Sequence, residues 1–554
     1  METRNCQNCK KSFNIEQDDF SFYEKMKVSA PSVCPTCRFK MKALFRNETT
    51  LYSGRNCDFC GKGIITMYNP KSPYKVYCHD CFYSDKWDPK DYAINYDPGK
   101  PFIYQLGELL KKVPKINTYI TTGDGINVNS EYVNMASGCK NSYLVFNTSV
   151  AEDLMYSRGI RDGRDSADIY FGTSFESCYE SINIQQSSGV IWGQNVVGCV
   201  SSAFLLNCSG LTNCFGCVNL RNKSHCWFNE QLSAEEYNIR INEVLGSHMK
   251  MEERRQKFTD FCSQFPRREN NNIKTVGSTG DYLFECKNIR NSFEVTKGED
   301  SRHIYFSKGL RDSLGTIGYG TASEQLLECV ATGHSSRIIG SYGPENCQDV
   351  LYGFYIKNCQ NVIGCDALKN SKYSILNKEY SKEEYENHRA HIIEELKSFG
   401  LYGLIIPPAL APFAYNESIA QDNFPMTKEE VLGLGFRWED DIQITKGKET
   451  FLPEQIPDHI DEVSDEITKE VLRCAKCERN YKITEQELLF YRKMKLPIPH
   501  NCFYCRHQNR ILRRGEIKFS VRNCSNCDKE ISSNLNKEES PIVYCESCYQ
   551  QEVV

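Results

Sequence analysis

SCYESINIQQSSGVIWGQNVVGCVSSAFLLNCSGLTNCFGC (177–217) is the stretch whose reading decides the fold of the chain's centre. Short β-branched and aromatic pieces, SINIQ (181–185) and SAFLLN (202–207), alternate with Ser, Gly, Asn and Cys. SYLVFN (142–147) and DIYFG (168–172) continue the pattern upstream, and helix periodicity is absent until Ser233. The pieces recur at short, slightly irregular intervals, which reads as short strands joined by tight turns. Small residues at equivalent places in successive coils are what a parallel β-solenoid needs, because its interior is narrow and each rung covers the last. The expectation is a mainly β protein whose centre is a right-handed parallel β-helix, preferred to a sandwich.

The centre is doubled. NCFGCVNLRNKSHCWFNEQLSAEEY (213–237) aligns with NVIGCDALKNSKYSILNKEYSKEEY (361–385), with ten identities, and RGIRD (158–162) echoes KGLRD (308–312). Each half ends in a helix with a capping-box pattern, Ser233 with Glu236 and Ser381 with Glu384. Such a helix would cover the last rung and block edge pairing.

Working outward, the two ends match each other. Sixteen of the 29 cysteines form terminal C-x-x-C pairs. Cys6/Cys9, Cys34/Cys37, Cys57/Cys60 and Cys78/Cys81 stand at the start; Cys474/Cys477, Cys502/Cys505, Cys524/Cys527 and Cys545/Cys548 stand at the end. First and second pairs are separated by 24 residues at both ends, third and fourth by 17. FYEKMK (22–27) recurs as FYRKMK (490–495). The ends are therefore two copies of one module. Two C-x-x-C pairs give four soft thiolates, the tetrahedral set that Zn²⁺ prefers, with no position left for water. Four structural Zn²⁺ per chain are expected, in zinc-ribbon or treble-clef-like modules. Sequential pairing is favoured over a cross-braced arrangement, because the one-residue difference in spacing falls between the proposed sites. The 13 remaining cysteines are expected in the core.

After the second pair, Arg38, Lys42 and Arg46 stand four apart, as do Arg506, Arg510 and Arg514. That spacing places each trio on one helix face, a possible phosphate-binding stripe. Charge tempers this. Residues 1–90 and 471–554 each carry +5, and residues 91–470 carry −15. Two filled Cys₄ sites would bring each module close to neutral. Three readings of the stripes follow: exposed contacts to RNA, DNA or a ribonucleoprotein; solvated surface; or docking on the acidic centre of the same chain.

Motifs for phosphate loops, zinc proteases and nucleophile elbows are absent. RGIRDGRDSAD (158–168) offers the only catalytic candidates, Arg161, Asp162, Asp165 and Asp168, on the precedent of β-helix enzymes that cut acidic carbohydrates. Arg–Asp pairing within a loop is the bland reading. The first residues show no signal-peptide core, and no apolar run approaches the ~20 residues of a membrane span. A cytoplasmic location without membrane contact is expected.

CPTCRFKMKALFRNETTLYSGRNCDFCGK, PYKVYCHDCFYSDKWDPKDY, NSEYVNMASGCKNSY, LNKEYSKEEY and APFAYNESIAQDNFPMTKEEVLGLGFRW together resemble an uncharacterised zinc-ribbon family of candidate-phyla-radiation bacteria. The resemblance implies a cytoplasmic bacterial protein with zinc ribbons flanking a repetitive centre, and no activity. Within it, Cys34/Cys37, Cys57/Cys60 and Cys78/Cys81 match the family's zinc motifs, and the copy at 474–548 departs outside the cysteines.

The expected layout is a double zinc module (1–90), a connector (91–124), two β-helix halves with capping helices (125–250 and 251–398), a connector with a short helix near Thr427 to Leu434 (399–470), and a second double zinc module (471–554). The function read from this is a non-enzymatic scaffold that contacts nucleic acid, protein or both. The alternatives are a purely protein-binding scaffold and a carbohydrate-active β-helix enzyme.

Overall fold

A computed structural model describes residues 1–120, 125–442 and 445–553. Four stretches of chain combine into two compact units. The first joins Met1–Asn117 to Asn270–Ile442, and the second joins Thr118–Glu269 to Gln443–Val554. Each unit thus holds one cysteine-rich module and one half of the repetitive centre, and the pairing is crossed relative to chain order. The short helix of the second connector is Lys428–Gly433, capped by Thr427 and Glu430.

The protein is mainly β, with long parallel sheets in both units. In the second unit the strands from Val133–Lys140 to Cys226–Trp227 pair with their sequence neighbours in parallel. Tyr179 faces Ala167 on one side and Ile191 on the other, so the register advances twelve residues per strand. Within each twelve the backbone repeats every three. Asp162, Asp165, Asp168, Phe171, Ser174, Ser177, Glu180 and Asn183 all have φ between 41° and 61°. Each triplet therefore reads inward residue, outward residue, left-handed corner. A left-handed residue costs about 1–2 kcal/mol except for Gly and, in part, Asn and Asp, which explains why these crowd the corners.

This geometry explains the small polar residues that dominate the interior. Outward and corner residues find backbone partners, as in Ser188 N–H to Cys199 O (3.0 Å) and Gln186 N–H to Thr173 O (3.1 Å). Where the inward residue twelve positions earlier is Ser or Cys, the inward N–H group turns to its side chain. Cys178 N–H donates to Ser166 Oγ (2.9 Å), Gly193 N–H to Ser181 Oγ (2.9 Å) and Cys199 N–H to Ser187 Oγ (3.1 Å). The serines in turn donate to a carbonyl two residues back, Ser166 to Arg164 O at 2.6 Å. Cysteine takes the same place, with Leu211 N–H on Cys199 Sγ at 3.4 Å. The first unit repeats the device at Ile304 on Ser292 (3.0 Å) and Cys347 on Ser335 (2.9 Å). Cys214 and Cys217, a ninth C-x-x-C, occupy two successive inward positions and are buried core, as are all the other central cysteines except the half-buried Cys262. Replacing Ser166 with Ala should orphan the buried Cys178 N–H and destabilise the second unit by about 1–3 kcal/mol, read as a shift in denaturant midpoint. Replacement with Cys should cost less.

Outward positions form columns. In the second unit Met155, Ala167, Tyr179, Ile191, Ala203 and Phe215 make a covered apolar column. Lys140, Glu152, Arg164, Glu176 and Ser188 make a charged, largely exposed one. The first unit repeats the charged column at Lys287, Glu299, Arg311, Glu324 and Ser336. There the corners step from Gly315 and Gly318 to Ala322, four apart instead of three, and the register advances thirteen at Arg311 and Glu324. Each half closes with an antiparallel turn. Cys226–Trp227 meets Glu230–Gln231, and Lys372–Ile375 meets Lys378–Glu379. Helices Ala234–Val244 and Lys382–Ser398 follow, both with the expected capping boxes.

Candidate metal centres and docking helices

The terminal cysteines gather into four groups of four thiols, each built from two consecutive C-x-x-C pairs. They are Cys6, Cys9, Cys34 and Cys37; Cys57, Cys60, Cys78 and Cys81; Cys474, Cys477, Cys502 and Cys505; and Cys524, Cys527, Cys545 and Cys548. All four sulfurs of a group lie within 4.8 Å of one another, and each group could hold a metal ion. The closest pairs run from 3.6 to 3.9 Å, as at Cys477–Cys502 and Cys60–Cys78. In each group one pair sits on a turn after a β-hairpin strand, such as Glu2–Asn5, and the other opens a helix. The helix N-cap is the cysteine itself: Cys34, Cys78, Cys502 or Cys545.

Backbone N–H groups point at the sulfurs, Cys78 N to Cys57 at 3.2 Å and Cys545 N to Cys524 at 3.2 Å. Burial opposes ionisation of Cys57, but these donors outweigh it and hold the thiol down to about 7. Cys524 is held at about 6 by the same balance. Such a donor shell stabilises thiolates, the form that binds metal.

The stripe residues follow directly on metal-group cysteines. Arg38 comes after Cys37 on helix Pro35–Ala43, and Arg506 after Cys505 on helix Phe503–Arg514. The second helix carries its whole trio, but the first ends before Arg46, so the expected three-residue helix face is corrected there to Arg38 and Lys42. The exposed phosphate-binding face expected from their spacing is corrected here. Arg38, Lys42 and Arg46 are 4%, 2% and 3% exposed, and Arg506, Arg510 and Arg514 are 8%, 0% and 2%. The reason is docking. Arg38 and Lys42 both pair with Glu328, and Arg46 pairs with Glu48 at 2.5 Å. In the second unit Arg506 and Arg510 pair with Asp168 at 2.9 and 2.8 Å. Arg510 and Arg513 pair with Glu180 at 2.5 and 3.3 Å, and Arg514 donates to the Tyr170 hydroxyl. Burial raises Glu180 above the usual carboxylate range against the pull of Arg510.

The two dockings are equivalent. Lys42 and Arg510 hold the same place in the repeated module, and Glu328 and Glu180 are the same corner of the repeated centre. At the rim Lys25 pairs with Asp312 at 2.8 Å, and its counterpart Lys493 pairs with Asp165.

The 158–168 segment does not gather a catalytic group. Asp162, Asp165 and Asp168 occupy successive corners, each with its own partner. Asp162 accepts from Ser174 at 3.4 Å, Asp165 meets Ser177 and Lys493, and Asp168 is buried under two arginines. Arg161 projects outward into solvent. Glu180, Glu328 and Glu48 went unread in the sequence. For Glu180 and Glu328 a signal exists in the offset that relates them, the same offset that aligns 213–237 with 361–385; Glu48 lies outside that repeat, which holds none for it.

Among the described residues, no helix is long and apolar enough to cross a membrane. No family model matches the chain, and no curated protein matches it.

Proposed function

We propose that this chain is a non-enzymatic scaffold in which zinc-stabilised modules clamp two β-helix halves. The observation that carries the reading is the duplicated burial of the stripe helices on Glu328 and on Asp168 with Glu180. A chain that spends its most concentrated positive charge on its own centre is organised for shape. Four Zn²⁺ fit the donor sets: a tetrahedron with Zn–S bonds of about 2.3 Å has sulfur–sulfur edges of about 3.8 Å, close to the observed spacings. All-cysteine sites leave no open coordination position, so their role is structural. The twelve-residue register with four triplets per advance supports a narrow β-helix, right-handed by the general preference for parallel crossovers. The absence of converging carboxylates in the 158–168 segment weighs against the carbohydrate-enzyme alternative.

A protein partner on the outward columns is the favoured contact, in a cytoplasmic setting. RNA or DNA would have to be met by residues other than the six stripe cations. Crosslinked pull-down from native cells, scored separately for protein, RNA and DNA, tests this. Recovery of proteins with nuclease-insensitive yield is expected. Recovery that depends on intact nucleic acid would replace the reading with the nucleic-acid one.

A further inference from the structure

Chain order alone favours each module docking on its sequence neighbour, since a short linker raises the effective concentration of the adjacent site. The observed pairing is the opposite: the N-terminal module sits with the second half and the C-terminal module with the first. Something in the docking surfaces must discriminate.

The charge of the surfaces differs at one column of corners. In the second half Glu328 (φ 53°) has Gly315 (φ 70°) on the preceding coil, and a Cβ at Gly315 would lie 2.3 Å from Glu328 Oε1. In the first half the corner before Glu180 (φ 51°) is Asp168 (φ 60°). One surface therefore offers one buried carboxylate and the other offers two. The helices follow this count, each docking holding one more cation than carboxylate. Arg38 and Lys42 share Glu328, whereas Arg506, Arg510 and Arg513 share Asp168 and Glu180. Arg513 also lies 3.5 Å over the Trp192 ring, where the second half has Gly340. Arg46 in turn passes so close to Gly318 that its Nη1 is 1.7 Å from where a Cβ would stand, and Phe171 fills the corresponding corner of the first half. The C-terminal helix on the second half would bury three arginines against one carboxylate, and the N-terminal helix on the first half would bring Arg46 against Phe171. Buried charges without partners are strongly disfavoured.

We propose that the number of carboxylates at this corner column selects the module each half accepts, with Asp168 as the selecting residue. The rim pairs supply a direct readout on the full chain. Lys25–Asp312 and Lys493–Asp165 are equivalent contacts, so zero-length carbodiimide crosslinking and peptide mass spectrometry report the pairing. The native chain should give these two links, and mixing isotope-labelled with unlabelled chains separates links within a chain from links between chains. Exchanging the selector, Asp168→Gly with Gly315→Asp, should make Lys25–Asp165 and Lys493–Asp312 the major links. Persistence of the native links as the major pair, at native metal content, would overturn the proposal. Should the exchanged chain fail to fold, Asp168→Asn alone decides. The Lys493–Asp165 link should fall about tenfold or more with Lys25–Asp312 unchanged, because only the second docking loses a buried counter-charge. Native yield of both links in that variant would equally overturn it.

Discussion

Replacing Glu328 with Gln is expected to destabilise the first unit by about 3–5 kcal/mol, the usual cost of leaving a buried charge uncompensated. The glutamate side chain is 1% exposed and is the shared partner of Arg38 and Lys42, whose side chains are 5% and 2% exposed. Gln keeps the shape but leaves two buried cations with no counter-charge. The loss should appear as a lower denaturant midpoint for the first unit and faster amide exchange in helix Pro35–Ala43, with helix Phe503–Arg514 unaffected. A change below about 1 kcal/mol would mean that water reaches the pair and that packing alone holds the helix. The same physics gives a compensating variant. Arg38→Leu, Lys42→Met and Glu328→Leu together should recover most of the loss, since replacing a whole buried ion cluster by apolar groups is often neutral or better.

Metal removal should have the larger effect. Zinc binding to such sites releases about 10–16 kcal/mol, and that energy is largely folding energy. Stripping all four sites should unfold both modules and free both docking helices, because Cys34 and Cys37, like Cys502 and Cys505, start the helices that carry the stripes. The release should come in two equal phases. Each module has one group with an exposed ligand, Cys60 or Cys527, and one group with none fully exposed. A chromogenic chelator should therefore take two metals quickly and two slowly. Helix loss and expansion, read by circular dichroism and small-angle scattering, should follow the slow phase. About four zinc per chain are expected after gentle purification. Fewer than two, with thiols that titrate normally, would falsify the metal assignment.

The cysteine groups were legible because their geometry is local. A C-x-x-C turn brings two sulfurs together whatever surrounds it, and a matching pair one hairpin later completes the set. The capping boxes at Ser233 and Ser381 were legible for the same reason, since all their partners lie within three residues. The centre was read as coils of short strands but with irregular spacing. Its real period is three, carried by left-handed corners, and neither the two-residue strand pattern nor the 3.6-residue helix pattern detects it. Ser166, Ile169, Gly172, Phe175 and Cys178 show that period once the corners are known.

The sequence by itself determined that Arg38 and Lys42 share a helix face, because the α-helix repeat is a property of the local backbone, whereas Arg46 falls past the end of that helix. It could not say what covers that face. Glu328 lies 286 residues from Lys42, and Asp168 lies 338 from Arg506. Such contacts depend on which surfaces meet after each part has folded, and a cation facing water has the same sequence signature as one facing a buried acid. The crossed assignment of modules to halves is likewise a tertiary fact. It rests on the difference in energy between alternative dockings, set by a single acid at the corner before Glu180 and a glycine before Glu328, and no local pattern encodes that difference.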